Sequence, residues 1–353
     1  MNKKTAIITI FDEDNYGNRL QNYATQEILK KHGNTPYTII NNSYYNNQIN
    51  LIKYFIKQIL KTFLSLIKKP PKRLKNFQIF NIKYINTGEF IHIKNAHKIV
   101  DKYDYFICGS DQVWNPYFLR LSPIDLLTFS PKEKNIALSA SFGVSRLENQ
   151  HYEKCKNNFK NFKAISVRED QAQNILKDMG IYDSQVLIDP TMMLTSNEWE
   201  KLESKPSYVK KNYIVIYYLG NMSKEQKSLI ENIANHYNLD IIYLCDENFS
   251  EYYASGPDEF LYLIHHANLV ITDSFHACVF SILYKVPFYV FERVDDNVKM
   301  NSRIETLLSK FNLKNRLLKD YSSYDLNINY DNVDIILEKE RKKFNDFIEE
   351  NIN

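Results

Sequence analysis

Neither sign of charge is in excess in this chain. It carries 45 Lys and Arg against 42 Asp and Glu, a formal net charge of +3. That balance offers no general basis for binding nucleic acid. Cysteine is sparse: Cys108, Cys155, Cys245 and Cys278 lie far apart and form no CxxC pair. This excludes a disulfide framework and a cysteine zinc site, and predicts reduced thiols in a cytoplasmic protein. No run of about 20 uncharged apolar residues occurs, so no membrane-spanning helix is predicted. The start, MNKKTAIITIF, lacks the length and cleavage site of a signal peptide and reads as a first strand. No GxGxxG follows a strand. Gly17 alone in the first strand-to-helix turn is weak evidence for a nucleotide.

What the chain does have is alternation. Its 353 residues exceed one ordinary core, and 44% are hydrophobic, so two soluble domains are predicted. Thr5 to Phe11 reads as a strand, Arg19 to His32 as a helix, and Tyr37 to Ile40 as a second strand. Tyr103 to Cys108, Asn135 to Phe142, Ala164 to Val167 and Gln185 to Ile188 follow as strands. The polar stretch Thr195 to Lys211 suits a connection. A second set follows, and Val333 to Ile352 reads as a charged amphipathic helix. The predicted fold is α/β, with two Rossmann-like domains, 1–194 and 195–353, facing a cleft. The last helix is free to pack back on the first domain.

Leu51 to Lys69 stands apart. On a helical wheel Lys53, Lys57, Lys61 and Lys68 share one half with Gln58 and Ser65. Ile52, Phe55, Ile56, Ile59, Phe63, Leu66 and Ile67 fill the other. Such a helix suits a core-covering lid with solvated lysines, or contact with a membrane surface. Pro70-Pro71 ends it, and Lys72, Arg73 and Lys75 extend its basic character.

The richest stretch is Ile264 to Phe291. It reads as a strand to Thr272, a polar turn at Asp273-Ser274, a helix ended by Val286-Pro287, and a strand from Phe288. His276 stands near the helix start, beyond the carboxyl end of the strand, where α/β sheets bind ligands and helix dipoles attract anions. The adjacent His265 and His266 are expected to diverge, with no third metal ligand.

The pieces NYGNRLQNYA (15–24), CGSDQVWNP (108–116), SASFG (139–143), ISVRED (165–170), LIDPT (187–191), ANLVITDSFHACVFSILYKVPF (267–288) and SRIETLL (302–308) together resemble the polysaccharide pyruvyl transferase family. The resemblance implies a GT-B-like fold, phosphoenolpyruvate as donor, and a hydroxyl pair of a surface glycan, lipid-linked or not, as acceptor. It implies no metal and no nucleotide cofactor, and a cyclic pyruvate ketal as product.

That chemistry needs cations or helix starts for two anionic groups, a general acid and a general base. His276 matches the family histidine and suits a phosphate ligand or proton donor; its alternative is a ring bonded to nearby backbone. Arg168 matches the family arginine of S-x-R-[DE] and suits a carboxylate or phosphate. Its alternative is an ion pair with Glu169, Asp170 or another acid. Arg303 matches a basic family position and supplies a second cation, or is a solvated helix-start arginine. Some members carry T-D-R-x-H where this chain has Thr272-Asp273-Ser274-Phe275-His276, so Ser274 offers a hydroxyl and an N–H in place of a charge. On the acceptor side, Asp111 or Asp14 is the candidate base for a sugar hydroxyl. Asn15, Asn18, Gln21, Ser110 and Gln112 are candidate sugar ligands. Trp114 is either a sugar platform or core.

Two rivals stand beside this reading. One is a nucleotide-sugar-dependent glycosyltransferase on the same scaffold, weakened because no clear acidic ribose-binding residue is evident in the second half. The other is a non-catalytic member of the fold.

Overall fold

In the computed structural model, the described residues are 2–11, 14–41, 72–118, 121–246, 248, 250–291, 302–318 and 325–352. Asp12 and the amphipathic stretch Leu51 to Lys69 lie outside them. The chain divides into two compact units: Met1–Pro190 with Lys343–Asn353, and Thr191–Lys342.

The first unit holds a seven-stranded, wholly parallel sheet: β1 (Lys3–Ile8), β2 (Asn34–Asn41), β3 (Thr87–Ile91), β4 (Tyr105–Asp111), β5 (Asn135–Ala140), β6 (Ala164–Val167) and β7 (Gln185–Val186). Its order is β3-β2-β1-β4-β5-β6-β7. The order reverses between β1 and β4, which opens a crevice at their carboxyl ends. Strand β5 is buried at every residue, because helices cover both faces of a parallel sheet.

Its first helix, Tyr16–Lys31, begins earlier than periodicity predicts. Asn15 caps it, its side chain accepting from the Asn18 N–H at 3.1 Å. The helix Lys72–Tyr84 was not foreseen. Arg73 is not part of a basic surface: it is buried, donates to the Tyr16 hydroxyl at 2.8 Å and the Asp14 carbonyl at 2.9 Å, and lies over the Tyr16 and Phe77 rings.

The second unit holds a five-stranded parallel sheet: β8 (Tyr213–Tyr217), β9 (Asp240–Tyr243), β10 (Leu269–Thr272), β11 (Phe288–Phe291) and β12 (Leu317–Leu318). Its order is β12-β11-β10-β8-β9, reversing between β8 and β10. The helix Phe275–Leu283 is buried at every residue and is apolar apart from His276 and Ser281, so it is a central element rather than a surface one. The helix Val333–Ile352 falls where its pattern predicts. Its early part belongs to the second unit, where Arg341 donates to the carbonyls of Met192 and Leu194 at 2.8 Å each. Its end belongs to the first, where Lys343 donates to the Val186 carbonyl at 2.7 Å. Among the described residues, no helix is long and apolar enough to cross a membrane.

Candidate functional site

In the first unit the motif turns meet at the carboxyl ends of β4 to β7. Arg168, directly after β6, donates to the Asp189 carboxylate at 2.6 Å and to Asp111 at 3.4 Å. The Ser110 hydroxyl donates to the same Asp189 oxygen at 2.8 Å. Asp111 also accepts from the Asn18 amide and, at 2.8 Å, from the Gln112 N–H. Burial alone would lower the Arg168 pKa. The charges of Asp189, Asp111 and Glu169 outweigh it and hold the guanidinium above its ordinary value.

Glu169, whose charge also acts on Arg168, has a second task. Its carboxylate closes the turn after β5, accepting from the Ser141 hydroxyl at 2.9 Å, the Phe142 N–H at 3.1 Å and the Gly143 N–H at 3.2 Å. Gly143 sits at φ +66°, and a Cβ there would lie 1.9 Å from the Gln112 side-chain oxygen. Both facts require glycine. Gln112 in turn accepts from the Asn115 amide at 2.7 Å. Five of the motif pieces are therefore parts of one buried polar network.

Several expectations change here. Trp114 is no sugar platform: it has no exposed face, packs on Phe142, Phe159 and Phe162, and donates its indole N–H to the Asp125 carbonyl at 3.2 Å. Gln21 is also fully buried and donates to the Thr9 hydroxyl at 2.8 Å and the Asn18 carbonyl at 3.2 Å. Its role is to join the helix Tyr16–Lys31 to the end of β1. The side chain of Asn15 serves as a helix cap. Asp14 stays outside the network, half exposed, 3.7 Å from Arg73. The Arg168 side chain is 1% exposed and engaged by internal carboxylates, so its fork is not held open for an incoming anion. Asn18, Ser110, Asp111, the Gln112 backbone and Arg168 do come together. Asp189, which reads in the sequence as a structural turn, holds Arg168 and Ser110, and Asp111 holds Asn18 and the Gln112 N–H.

The second unit gathers its candidates around Phe275. Ser274 precedes the helix, and its hydroxyl makes no cap bond to it. Instead the Ser274 N–H donates to the Thr272 hydroxyl at 2.9 Å, and that hydroxyl donates to the Tyr217 carbonyl at 2.5 Å. The helix's first turn carries no acidic residue. His276 and Arg303 are 6% and 8% exposed. The Phe275 ring meets the His276 ring edge-on at 5.3 Å, and the Arg303 guanidinium lies over it at 5.8 Å. An imidazole, a guanidinium and the first turn of a helix therefore share one neighbourhood, a set suited to an anion. Asp273 was missed. Its two oxygens accept the N–H groups of Leu219 (2.7 Å) and Gly220 (2.9 Å), tying β10 to the turn after β8 across the reversal point.

A cavity of about 240 Å³ opens beside that turn, lined by Tyr218, Gly220, Met222, Lys227, Tyr243 and Asp246 among others. Asp246, just past the end of β9, is an acid where a Rossmann fold binds ribose. The sequence does not single this acid out, because the pairing of β8 with β9 is what brings Asp246 to the same cavity as Gly220. A further correction concerns His265 and His266, which converge on Glu203 at 2.9 and 3.4 Å instead of diverging.

Solved structures share the fold. A UDP-GlcNAc 2-epimerase from Methanocaldococcus jannaschii aligns with a TM-score of 0.50 at 14% identity, over 86% of this chain and 86% of its own. The UDP-GlcNAc 2-epimerase of Neisseria meningitidis, solved with UDP-GlcNAc bound, aligns with a TM-score of 0.50 at 11% identity, over 97% and 94%. Both are similar in fold, and the two parallel α/β sheets are of GT-B type. No curated protein matches the sequence. The polysaccharide pyruvyl transferase family model matches residues 15–296, a span that takes in the buried network of the first unit and the His276 helix of the second. The chain belongs to the polysaccharide pyruvyl transferase family.

Proposed function

We propose that this transferase moves the pyruvyl group of phosphoenolpyruvate onto a hydroxyl pair of a sugar in a surface polysaccharide or its lipid-linked precursor. The observation that carries the reading is the grouping of His276 and Arg303 about Phe275 at a helix start with no acidic residue in its first turn. Phosphoenolpyruvate brings a phosphate and a carboxylate, and such a grouping answers anions. A proton adds to the methylene carbon, with His276 as its source, and C2 gains cationic character. One sugar hydroxyl bonds to C2. The bond from C2 to the phosphate oxygen breaks, and its electron pair leaves with inorganic phosphate. The second hydroxyl then closes the ketal, and its proton returns to the His276 imidazole. Asp111 is the proposed base for a hydroxyl, with Asn18 and Arg168 fixing its orientation. No metal or nucleotide cofactor takes part in this scheme.

The test is phosphate release from phosphoenolpyruvate with a panel of glycan acceptors, followed by mass spectrometry of the product. Release that requires both acceptor and enzyme, with ketal formation, is the expected result. Donor consumption without a ketal would sink the reading.

The cavity with Gly220 and Asp246 favours a second reading, transfer from a nucleotide sugar. Thermal stabilisation separates the two. Phosphoenolpyruvate raises the midpoint under the first reading, and a nucleoside diphosphate or nucleotide sugar under the second. A protein stabilised by neither donor would support a non-catalytic role.

The proposed setting is the cytoplasm, at the inner face of the membrane. The lysine-rimmed apolar pattern of Leu51 to Lys69 is the support, since such a helix binds anionic bilayers in proportion to its apolar area and its charge. Reversing Lys53, Lys57, Lys61 and Lys68 to Glu is expected to abolish co-sedimentation with anionic vesicles. Unchanged sedimentation would remove the membrane from the scheme.

A further inference from the structure

Glu203, His265 and His266 form a cluster in the second unit, at the amino end of β10, away from the carboxyl-end residues used above. One ligand atom from each of the three lies within 4.8 Å of the others. His265 Nδ1 is 2.9 Å from one Glu203 oxygen, and His266 Nε2 is 3.4 Å from the other. Ligand atoms around a tetrahedral zinc, each about 2.0–2.1 Å from the metal, lie roughly 3.3 Å apart. Each imidazole nitrogen is near that spacing from a Glu203 oxygen, and small side-chain rotations bring the set, all within 4.8 Å, onto one ion.

The rings that hold the cluster are packed. His265 ends the helix Pro257–His265, and its ring stacks on Tyr284 at 4.2 Å and 14°. The His266 ring rests on Tyr262 at 4.2 Å. Glu203 sits in the turn after the helix Ser196–Glu200, donating its N–H to the Glu200 carbonyl at 3.1 Å, and the next residue, Ser204, donates its N–H to the Asp258 carbonyl at 3.2 Å. A metal would therefore meet oriented side chains drawn from two segments of the chain. The set is also accessible: His266 is 45% exposed, leaving an open side for a water ligand.

We infer that Glu203, His265 and His266 bind a divalent transition metal of the zinc class, through Nδ1 of His265, Nε2 of His266 and a carboxylate oxygen, with water completing a tetrahedron. Two imidazoles with one carboxylate favour zinc, nickel or copper over magnesium and calcium, which prefer all-oxygen shells. The metal replaces the proton that His265 otherwise shares with Glu203 and clamps the turn at Glu203 to the helix end. Its position makes it a structural clamp, independent of the proposed transfer.

The experiment uses the untagged full chain, stripped with chelator, desalted, and titrated with zinc chloride by calorimetry. One equivalent is expected to bind, and His266→Ala and Glu203→Gln are each expected to weaken it at least tenfold. His266 is exposed enough for its variant to fold, and a circular dichroism spectrum checks that. Cys245→Ser is expected to leave the binding unchanged. Cobalt(II) in place of zinc is expected to give visible absorption bands of tetrahedral strength, absent in His266→Ala. No stoichiometric zinc binding, or an affinity that ignores His266→Ala but falls with Cys245→Ser, would overturn the assignment. Pyruvyl transfer is not the readout, so failure of the proposed function leaves this test intact.

Discussion

Arg168→Ala is expected to destabilise the protein by about 3–5 kcal/mol, the usual consequence of removing one partner from a buried ion pair. The Asp189 carboxylate is fully buried, and its hydrogen bonds come from Arg168 at 2.6 Å and Ser110 at 2.8 Å. Without the guanidinium that charge loses its 2.6 Å ion pair, and Asp111 loses a cationic neighbour. Urea unfolding with the slope unchanged would give the number. The paired variant Arg168→Met, Asp189→Leu is expected to recover part of the loss, because the buried Asp189 charge goes with its partner while Asp111 still loses Arg168. A well-folded Arg168→Ala protein that simply binds phosphoenolpyruvate less tightly would reverse the assignment. It would mean that the fork serves the donor rather than the fold.

His276→Ala is expected to do the opposite: leave the thermal midpoint nearly unchanged and lower pyruvyl transfer by roughly 10²–10⁴-fold, the range for losing a positioned acid. The His276 helix is held by apolar burial on all sides, and the adjoining turn is held by Asp273. Splitting the kinetics identifies its role. A fall in kcat at constant KM marks the proton donor, whereas a rise in KM for phosphoenolpyruvate marks a phosphate ligand. Transfer at the wild-type rate would remove His276 from the mechanism altogether.

These two variants mark where sequence reading worked. Strand β10 and the buried helix after it are legible because they are continuous apolar runs bounded by Thr272-Asp273-Ser274 and by Pro287. Their ends differ from the predicted ones by one or two residues, since capping sets boundaries and periodicity does not. The helix Val333–Ile352 is legible for the same local reason. The helix Lys72–Tyr84 was missed because Pro70-Pro71 and the following basic residues look like surface. Arg73 is paired through Tyr16 and Asp14, 57 and 59 residues away, which no local window contains.

The sequence by itself determined the alternation of strands and helices, the division into two α/β halves, and the family, through motifs spread from residue 15 to about 308. It also marked the turns where polar residues gather. Only the tertiary structure decided what those residues do. The sheet order β4-β5-β6-β7 sets the carboxyl ends side by side, so Arg168 meets Asp189 and Asp111, and Glu169 meets the turn at Ser141 to Gly143. The same physics buries Trp114 in an aromatic cluster and brings Asp246 beside Gly220 and two histidines onto Glu203. Periodicity reports which face of an element is apolar. It carries no information about which charge another strand will place beside it, and for a buried ion that partner determines whether the group binds a ligand or holds the fold.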